Sequence, residues 1–329
     1  MAELSFRRPD RVEGPLYVLT CLFNPFRYRM RWSLYDKFRT MVEATPGAVL
    51  YVVEVAFGDR AFTATEPDNP RHLQLRSQDV LWLKERALNL LERRLPPDWK
   101  YLAWIDADVK FVREDWVNET LQQLQLADVA QMWSEAIDLD YDFQVLARHQ
   151  SFVASYRQGV PQPKTFAGGY YAPATTVPPQ LPYHPWHPGF AWAWRRQAWE
   201  DVGGLLDIAI LGAGDNHMAK SLIGDGGVSS HPQISDGYRE EVLAWQTRAC
   251  RLQRNLSLVK GTVEHFWHGP KEARAYWTRW QILVEEGYDP HRDLEIDPAT
   301  GLYRLRASAW KLRDRIRAYF ESRDEDSPK

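Results

Sequence analysis

The first third of the chain alternates unbroken apolar runs with stretches whose apolar residues recur every three or four positions. Leu16-Tyr17-Val18-Leu19-Thr20-Cys21-Leu22-Phe23 shows no polar alternation and stops at Asn24-Pro25, the pattern of a strand buried on both faces. Between positions 28 and 45, Met30, Leu34, Phe38, Met41 and Val42 fall on one helical face, and Pro46-Gly47 ends the repeat. A second apolar strand follows at 48–55, and a second helix at 80–95 is closed by Pro96-Pro97. A third strand, Tyr101-Leu102-Ala103-Trp104-Ile105, runs into Asp106-Ala107-Asp108. This order predicts an α/β fold with a mostly parallel central sheet flanked by helices. Positions 109–111, 116–126 and 129–133 continue the alternation.

Beyond residue 150 the pattern changes. Residues 155–188 are rich in Pro and Gly and too long for a passive connection, so they are expected to form a substrate-binding loop or a mobile lid. Ordered structure resumes at 190–199, punctuated by Gly203-Gly204. The remainder reads as a charged amphipathic helix at 271–286, a hairpin of 294–296 with 302–305 around Asp297-Pro298-Ala299-Thr300-Gly301, and a terminal helix at 308–322. The expected division is a tail at 1–12, a main domain at 13–270, a small helix-hairpin-helix extension at 271–322 and a disordered tail at 323–329.

Composition narrows the class. With 44% hydrophobic residues the chain can bury a substantial core, which excludes disorder. Cys21 and Cys250 are its only cysteines, too few for a disulfide framework or a cysteine zinc site, and they favour a reducing compartment. No uncharged apolar run approaches the roughly 20 residues of a membrane span, and the N-terminal residues lack the apolar core of a secretory signal, so a cytoplasmic location is expected. A net charge of −3 gives no overall attraction to nucleic acid or anionic lipid. The 15 Trp and 15 Tyr supply flat faces that can pack a core or stack on sugars and bases.

Three groups of residues carry candidate chemistry. Asp106 and Asp108 lie at a strand exit, as does Asn24, and parallel sheets bind ligands beyond the carboxyl ends of their strands. Carboxylates there suit a hard divalent cation that shares its ligands with substrate phosphates, and they suit a solvated turn equally well. In His265-Phe266-Trp267-His268-Gly269, two imidazoles three residues apart can converge on a borderline cation such as Mn²⁺ or be satisfied as buried core groups. Gly212-Ala213-Gly214-Asp215-Asn216-His217 places small residues before an acid and an amide at a helix start. Asp215 can cap that helix, or face an acceptor hydroxyl as general base with Asn216 beside it.

These blocks resemble a family. Lys84-Glu85-Arg86-Ala87-Leu88-Asn89 followed by Trp104-Ile105-Asp106-Ala107-Asp108 resembles the helix and Asp-x-Asp strand end of β-1,4-galactosyltransferases. The run from Gly189-Phe190-Ala191-Trp192 to Val202-Gly203-Gly204 and on to Gly214-Asp215-Asn216 resembles the Gly-rich block shared with polypeptide N-acetylgalactosaminyltransferases. His265-x-x-His268 falls where those enzymes place late metal ligands, and Trp277 with Tyr288-Asp289-Pro290 resembles a bacterial or bacteriophage branch.

The resemblance implies a GT-A fold, Rossmann-like, and a metal-dependent transfer of sugar from a nucleotide-sugar donor, a UDP-sugar foremost. It implies Mn²⁺ or Mg²⁺ held by Asp108, His268 and His265, with Asp106 bridging to the metal or nearer the ribose. Thr20 and Asn24 would border the nucleoside, Lys84 or Arg86 would steady phosphate, and Gly189 and Gly214 would let backbone approach the donor. Trp186, His187 and Trp192 would stack on sugar or acceptor. The acceptor could be a glycan, a small molecule or a hydroxymethylated base of phage DNA, and no obligate protein partner is implied. Where inverting relatives carry a second acid, this chain has Asn216, so either Asp215 acts as the base or the acid and amide position substrates as in retaining enzymes. A metal-dependent phosphohydrolase using the same ligands and a non-catalytic carbohydrate-binding protein are the competing classes.

Overall fold

The computed structural model describes residues 14–162, 175–177, 181–276 and 278–328. The expected tail at 1–12, much of the expected 155–188 loop, and Trp277 lie outside the described residues. In chain order the first half comprises β1 (Leu16–Phe23), α1 (Arg29–Ala44), β2 (Ala48–Phe57), β3 (His72–Ser77), α2 (Lys84–Glu92), β4 (Tyr101–Ile105), β5 (Val109–Phe111), α3 (Trp116–Leu126), β6 (Val129–Gln131), β7 (Glu135–Leu139), β8 (Val145–Ser151) and α4 (Phe152–Arg157). The second half comprises β9 (Thr175–Val177), β10 (Leu181–His187), β11 (Ala191–Arg195), α5 (Arg196–Val202), α6 (Gly214–Leu222), α7 (Asp236–Ala249), β12 (Leu256–Leu258), β13 (Thr262–His265), α8 (Arg279–Glu285), α9 (Pro290–Asp293), β14 (Leu294–Ile296), β15 (Tyr303–Leu305) and α10 (Trp310–Glu321).

The central sheet has seven strands in the order β12-β6-β11-β4-β1-β2-β3. All its pairings are parallel except those of β11, which runs antiparallel to both β4 and β6. Its strands are apolar without alternation because both faces are covered. Leu19 and Phe23 of β1 and Leu102 and Trp104 of β4 join one core, whereas Leu16, Val18, Tyr101 and Ala103 join the other with α1 and α3. This is the mixed α/β architecture, with a large and mostly parallel sheet, that the apolar pattern predicts.

A second sheet, β5-β13-β7-β8-β10-β9, stands beyond the end of β4. The charged stretch at 271–286 is not one helix. A 3₁₀ turn at Glu272–Arg274 ends at Ala275, whose φ of +44° breaks the helical path before α8 begins. Over 323–328, where a disordered tail is expected, polar groups find partners elsewhere in the chain. Arg31 of α1 pairs bidentately with Glu325, Arg323 pairs with the same carboxylate at 2.9 Å, and the Trp267 indole donates to the Ser327 carbonyl at 2.7 Å.

Candidate active site

The crevice forms where β4 stops. The Asp106 amide donates to the Phe190 carbonyl (2.8 Å), which carries the chain from the central sheet towards the second. There β5 pairs antiparallel with β13, setting Val109 opposite His265, and the Phe266 amide donates to the Asp108 carbonyl (2.9 Å). Strand register thus brings the two sequence-distant motifs together. His268 returns on the following turn, where Gly269 has a φ of +89° and a Cβ would lie 2.8 Å from the Asp324 carbonyl. Only glycine lets the C-terminal segment close on this turn.

Asp108, His265 and His268 each offer one ligand atom, all within 4.8 Å of one another. His268 Nε2 lies 3.0 Å from Asp108 Oδ2 and 3.2 Å from His265 Nε2. Asp108 Oδ1 is buried and accepts no hydrogen bond among the described residues, an orphaned anionic oxygen that a cation would satisfy. Burial, reinforced by the Arg274 guanidinium, lowers the His268 imidazole to about 3, so at neutral pH it is in the neutral form that binds metal. Burial alone would raise the Asp108 carboxyl, but His268 first and then His265 and Arg31 hold it well below the carboxylate range. One oxygen and two imidazole nitrogens form a mixed donor set that suits a borderline divalent cation such as Mn²⁺ more closely than all-oxygen-seeking Mg²⁺.

Asp106 faces the same cavity but is engaged differently. Its Oδ1 accepts from Lys84 Nζ (2.9 Å), and it does not belong to the three-residue cluster. Lys84 opens α2 and is buried, an unfavourable place for a cation at a helix N-terminus. Its charge is nonetheless retained, because Asp106 and then Glu85 and Asp215 outweigh the burial that opposes it. Glu85 accepts from the Trp82 indole (2.9 Å). Asp215 and Asn216 open α6 on the facing wall. Asp215 Oδ1 accepts the Asn216 amide (2.8 Å), and a Cβ on Gly189 would lie 2.9 Å from Asp215 Oδ2. Gly189 therefore permits a close approach that any side chain would block. Two cavity residues, Phe190 (φ 76°) and Ala213 (φ 84°), hold left-handed backbone without being glycine, strain of the kind that clusters at functional sites.

Other expected residues lie elsewhere. Thr20 is fully buried in β1, its hydroxyl donating to the Ile105 carbonyl (2.8 Å). Asn24 spends its amide on both backbone groups of Tyr28, and Arg86 reaches the Gly301 carbonyl and Asp207 in a separate groove. Trp186 and Trp192 are buried in the core, Trp192 donating to the Pro188 carbonyl (2.7 Å). Gly214 packs on Glu85, where a Cβ would meet the carboxyl at 3.0 Å. Of the three aromatic stacking candidates only His187 lines the cavity, stacked on Phe190 at 4.2 Å.

The cavity also has walls that sequence reasoning did not assign. Trp82, Glu85, Arg274, Tyr276, Arg279 and Arg323 line it, four of them from the region expected to be a separate extension or tail. Arg274 Nη2 lies 2.9 Å from His268 Nε2.

Fold and site together define an α/β protein with a carboxylate–imidazole cluster, of a geometry that could hold a cation, at the end of its central sheet. No family model matches the chain, and no curated protein matches it. Among solved structures it is similar to the mannosyltransferase PcManGT from Pyrobaculum calidifontis in complex with GDP-Man and Mn²⁺. That similarity has 14% identity, 95% coverage of this chain, 72% of that chain, and a TM-score of 0.40. It is also similar to a protein of Desulfovibrio desulfuricans G20 described as a nucleotide-diphospho-sugar transferase, with 11% identity, 94% and 98% coverage, and a TM-score of 0.32. No helix among the described residues is long and apolar enough to cross a membrane.

Proposed function

We propose that the chain is a metal-dependent glycosyltransferase that takes a nucleotide-sugar donor and an acceptor hydroxyl into the cavity at the end of β4. The observation that carries the reading is the buried, partnerless Asp108 Oδ1 within reach of two imidazoles. The cavity that holds this group also presents a buried lysine and an acid at a helix start. Asp108, His265 and His268 would hold Mn²⁺ or Mg²⁺, which when bound neutralises charge on the departing nucleoside diphosphate. Arg274 stands beside His268, and Lys84, oriented by Asp106, lines the same cavity; both would supply fixed positive charge to the same phosphates. Across the cavity Asp215 either takes the acceptor proton, giving inversion, or with Asn216 positions the substrates. Its Oδ2 is the oxygen turned towards Gly189.

The test is a thermal-shift panel of UDP- and GDP-linked sugars and free nucleoside diphosphates, with and without Mn²⁺. A ligand bound only by the folded state at a hundredfold excess over Kd adds about 2.7 kcal/mol. The expected result is a shift that needs both metal and nucleotide in the native protein and disappears in Asp108→Ala. A shift with Mn²⁺ alone and none with any nucleotide would favour a metal-dependent phosphohydrolase. No shift with metal or nucleotide would favour a glycan-binding protein.

A further inference from the structure

The segment that carries both proposed metal ligands, His265 at the end of β13 and His268 on the turn after it, is tied to a buried acid of the second sheet that no motif singles out. Asp138 lies in β7, directly opposite His265 of β13 in the parallel register, and is 2% exposed. Its Oδ1 accepts from His265 Nδ1 (2.7 Å). Its Oδ2 is bonded by His149 Nε2 and by Lys271 Nζ.

A neutral imidazole has one N–H and one lone pair, and whichever partner claims the N–H decides which nitrogen can bind a cation. A carboxylate can only accept. Asp138 therefore fixes the proton of His265 on Nδ1 and leaves Nε2, the nitrogen facing His268 and Asp108, as the lone-pair atom. The second oxygen adds a mechanical constraint: Lys271 follows His268 by three residues, so the segment from His265 to Lys271 is fastened to one carboxylate at both ends, with His268 held between them.

We infer that Asp138 is the positioning residue of the cation site, setting both the tautomer of His265 and the place of His268, and thereby the affinity for a divalent metal. The inference rests on the metal site proposed above. Carboxylates that accept from the far nitrogen of a metal-bound imidazole typically contribute about 10- to 100-fold in affinity.

Mn²⁺ alone, titrated into the full chain and followed by the electron paramagnetic resonance of free Mn²⁺, is the experiment. Asp138→Asn is expected to raise the Kd about 10- to 100-fold in protein whose circular dichroism matches the native chain. Binding within twofold of native would overturn the inference while leaving the metal site standing. If the native chain itself binds no Mn²⁺, the metal site falls and this inference with it. Should Asp138→Asn fail to fold, the native chain decides. In histidine-labelled protein at pH 8, long-range ¹H–¹⁵N correlation is expected to show His265 protonated at Nδ1. A proton on Nε2 would refute the assignment. A purely structural role for Asp138 would lower melting temperature without moving either the Mn²⁺ affinity of folded protein or the tautomer.

Discussion

Glu85 shows at the scale of one residue how this cavity departs from an ordinary interior. It is 3% exposed in the first turn of α2, and burial pushes its carboxyl from 4.5 up to about 7, with Lys84 nearby acting in the opposite direction. Between those values the folded state keeps a proton that the unfolded chain releases, so stability falls as pH rises from 4.5 to 7 and stays lower above 7. At about 1.4 kcal/mol per unit the deficit is on the order of 3–4 kcal/mol. Glu85→Gln should therefore stabilise the protein by about 3 kcal/mol at pH 8 and much less at pH 5, read from urea unfolding at both values. Equal gains at the two pH values would show that the change acts through packing and that Glu85 is not held against its charge. A stability cost of this kind, accepted inside a ligand cavity, is a mark of function that the letter Glu in a helical pattern does not carry. Asp108, His265 and His268 were legible because their spacing and strand-end position suffice to suggest a ligand set. Asp138 was not, since its role depends on a strand register spanning 127 positions. Thr20, Asn24 and Trp192 have the right residue types, but backbone carbonyls and amides claim their polar atoms first.

Among the elements, α1 depends most visibly on distant chain. Tyr28 at its N-cap makes no side-chain capping bond. The exposed amides of Arg29 and Met30 instead donate to the carboxylate of Asp326 (2.9 and 2.8 Å), and the Tyr28 hydroxyl reaches the Glu321 carbonyl (3.0 Å). The cap that the first helix lacks locally arrives from the other end of the sequence. Asp326→Ala should cost about 1 kcal/mol, as loss of a helix cap does. Glu325→Ala should cost more, about 3 kcal/mol, because it leaves buried Arg323 and half-buried Arg31 without their shared carboxylate. Exposed Glu321→Ala serves as the reference, and chemical denaturation ranks the three. If all three variants match the native chain, the terminal segment contributes nothing to the fold. A polar, acidic end reads as a solvated tail in sequence because nothing local reveals its buried arginine partners. The short strands of the second sheet were hidden for a similar reason: β8, with Arg148, His149 and Gln150, has no apolar run to betray it.

In the molecule as a whole, residues on both sides of position 270, where the sequence pattern suggests a boundary, share one hydrophobic core. Leu294, Leu305, Leu312, Ile316 and Phe320 belong to the same hydrophobic core as Phe23, Leu88 and Trp104, Phe320 meeting Phe23 edge-on at 6.2 Å. The Leu305 amide donates to buried Asp79 (2.8 Å), and Arg274, Arg279 and Arg323 help to wall the cavity. A region that shares a core with the main sheet and lines the same cavity is expected to unfold together with it. Differential scanning calorimetry of the full chain should therefore give one endotherm whose calorimetric and van't Hoff enthalpies agree. Mn²⁺ with a bound nucleotide should move it intact to higher temperature, because both halves of the chain contribute to what the ligand touches. Two endotherms, with only the upper one responding to ligand, would restore the boundary near residue 270 and reduce the C-terminal arginines to neighbours of a site that stands without them.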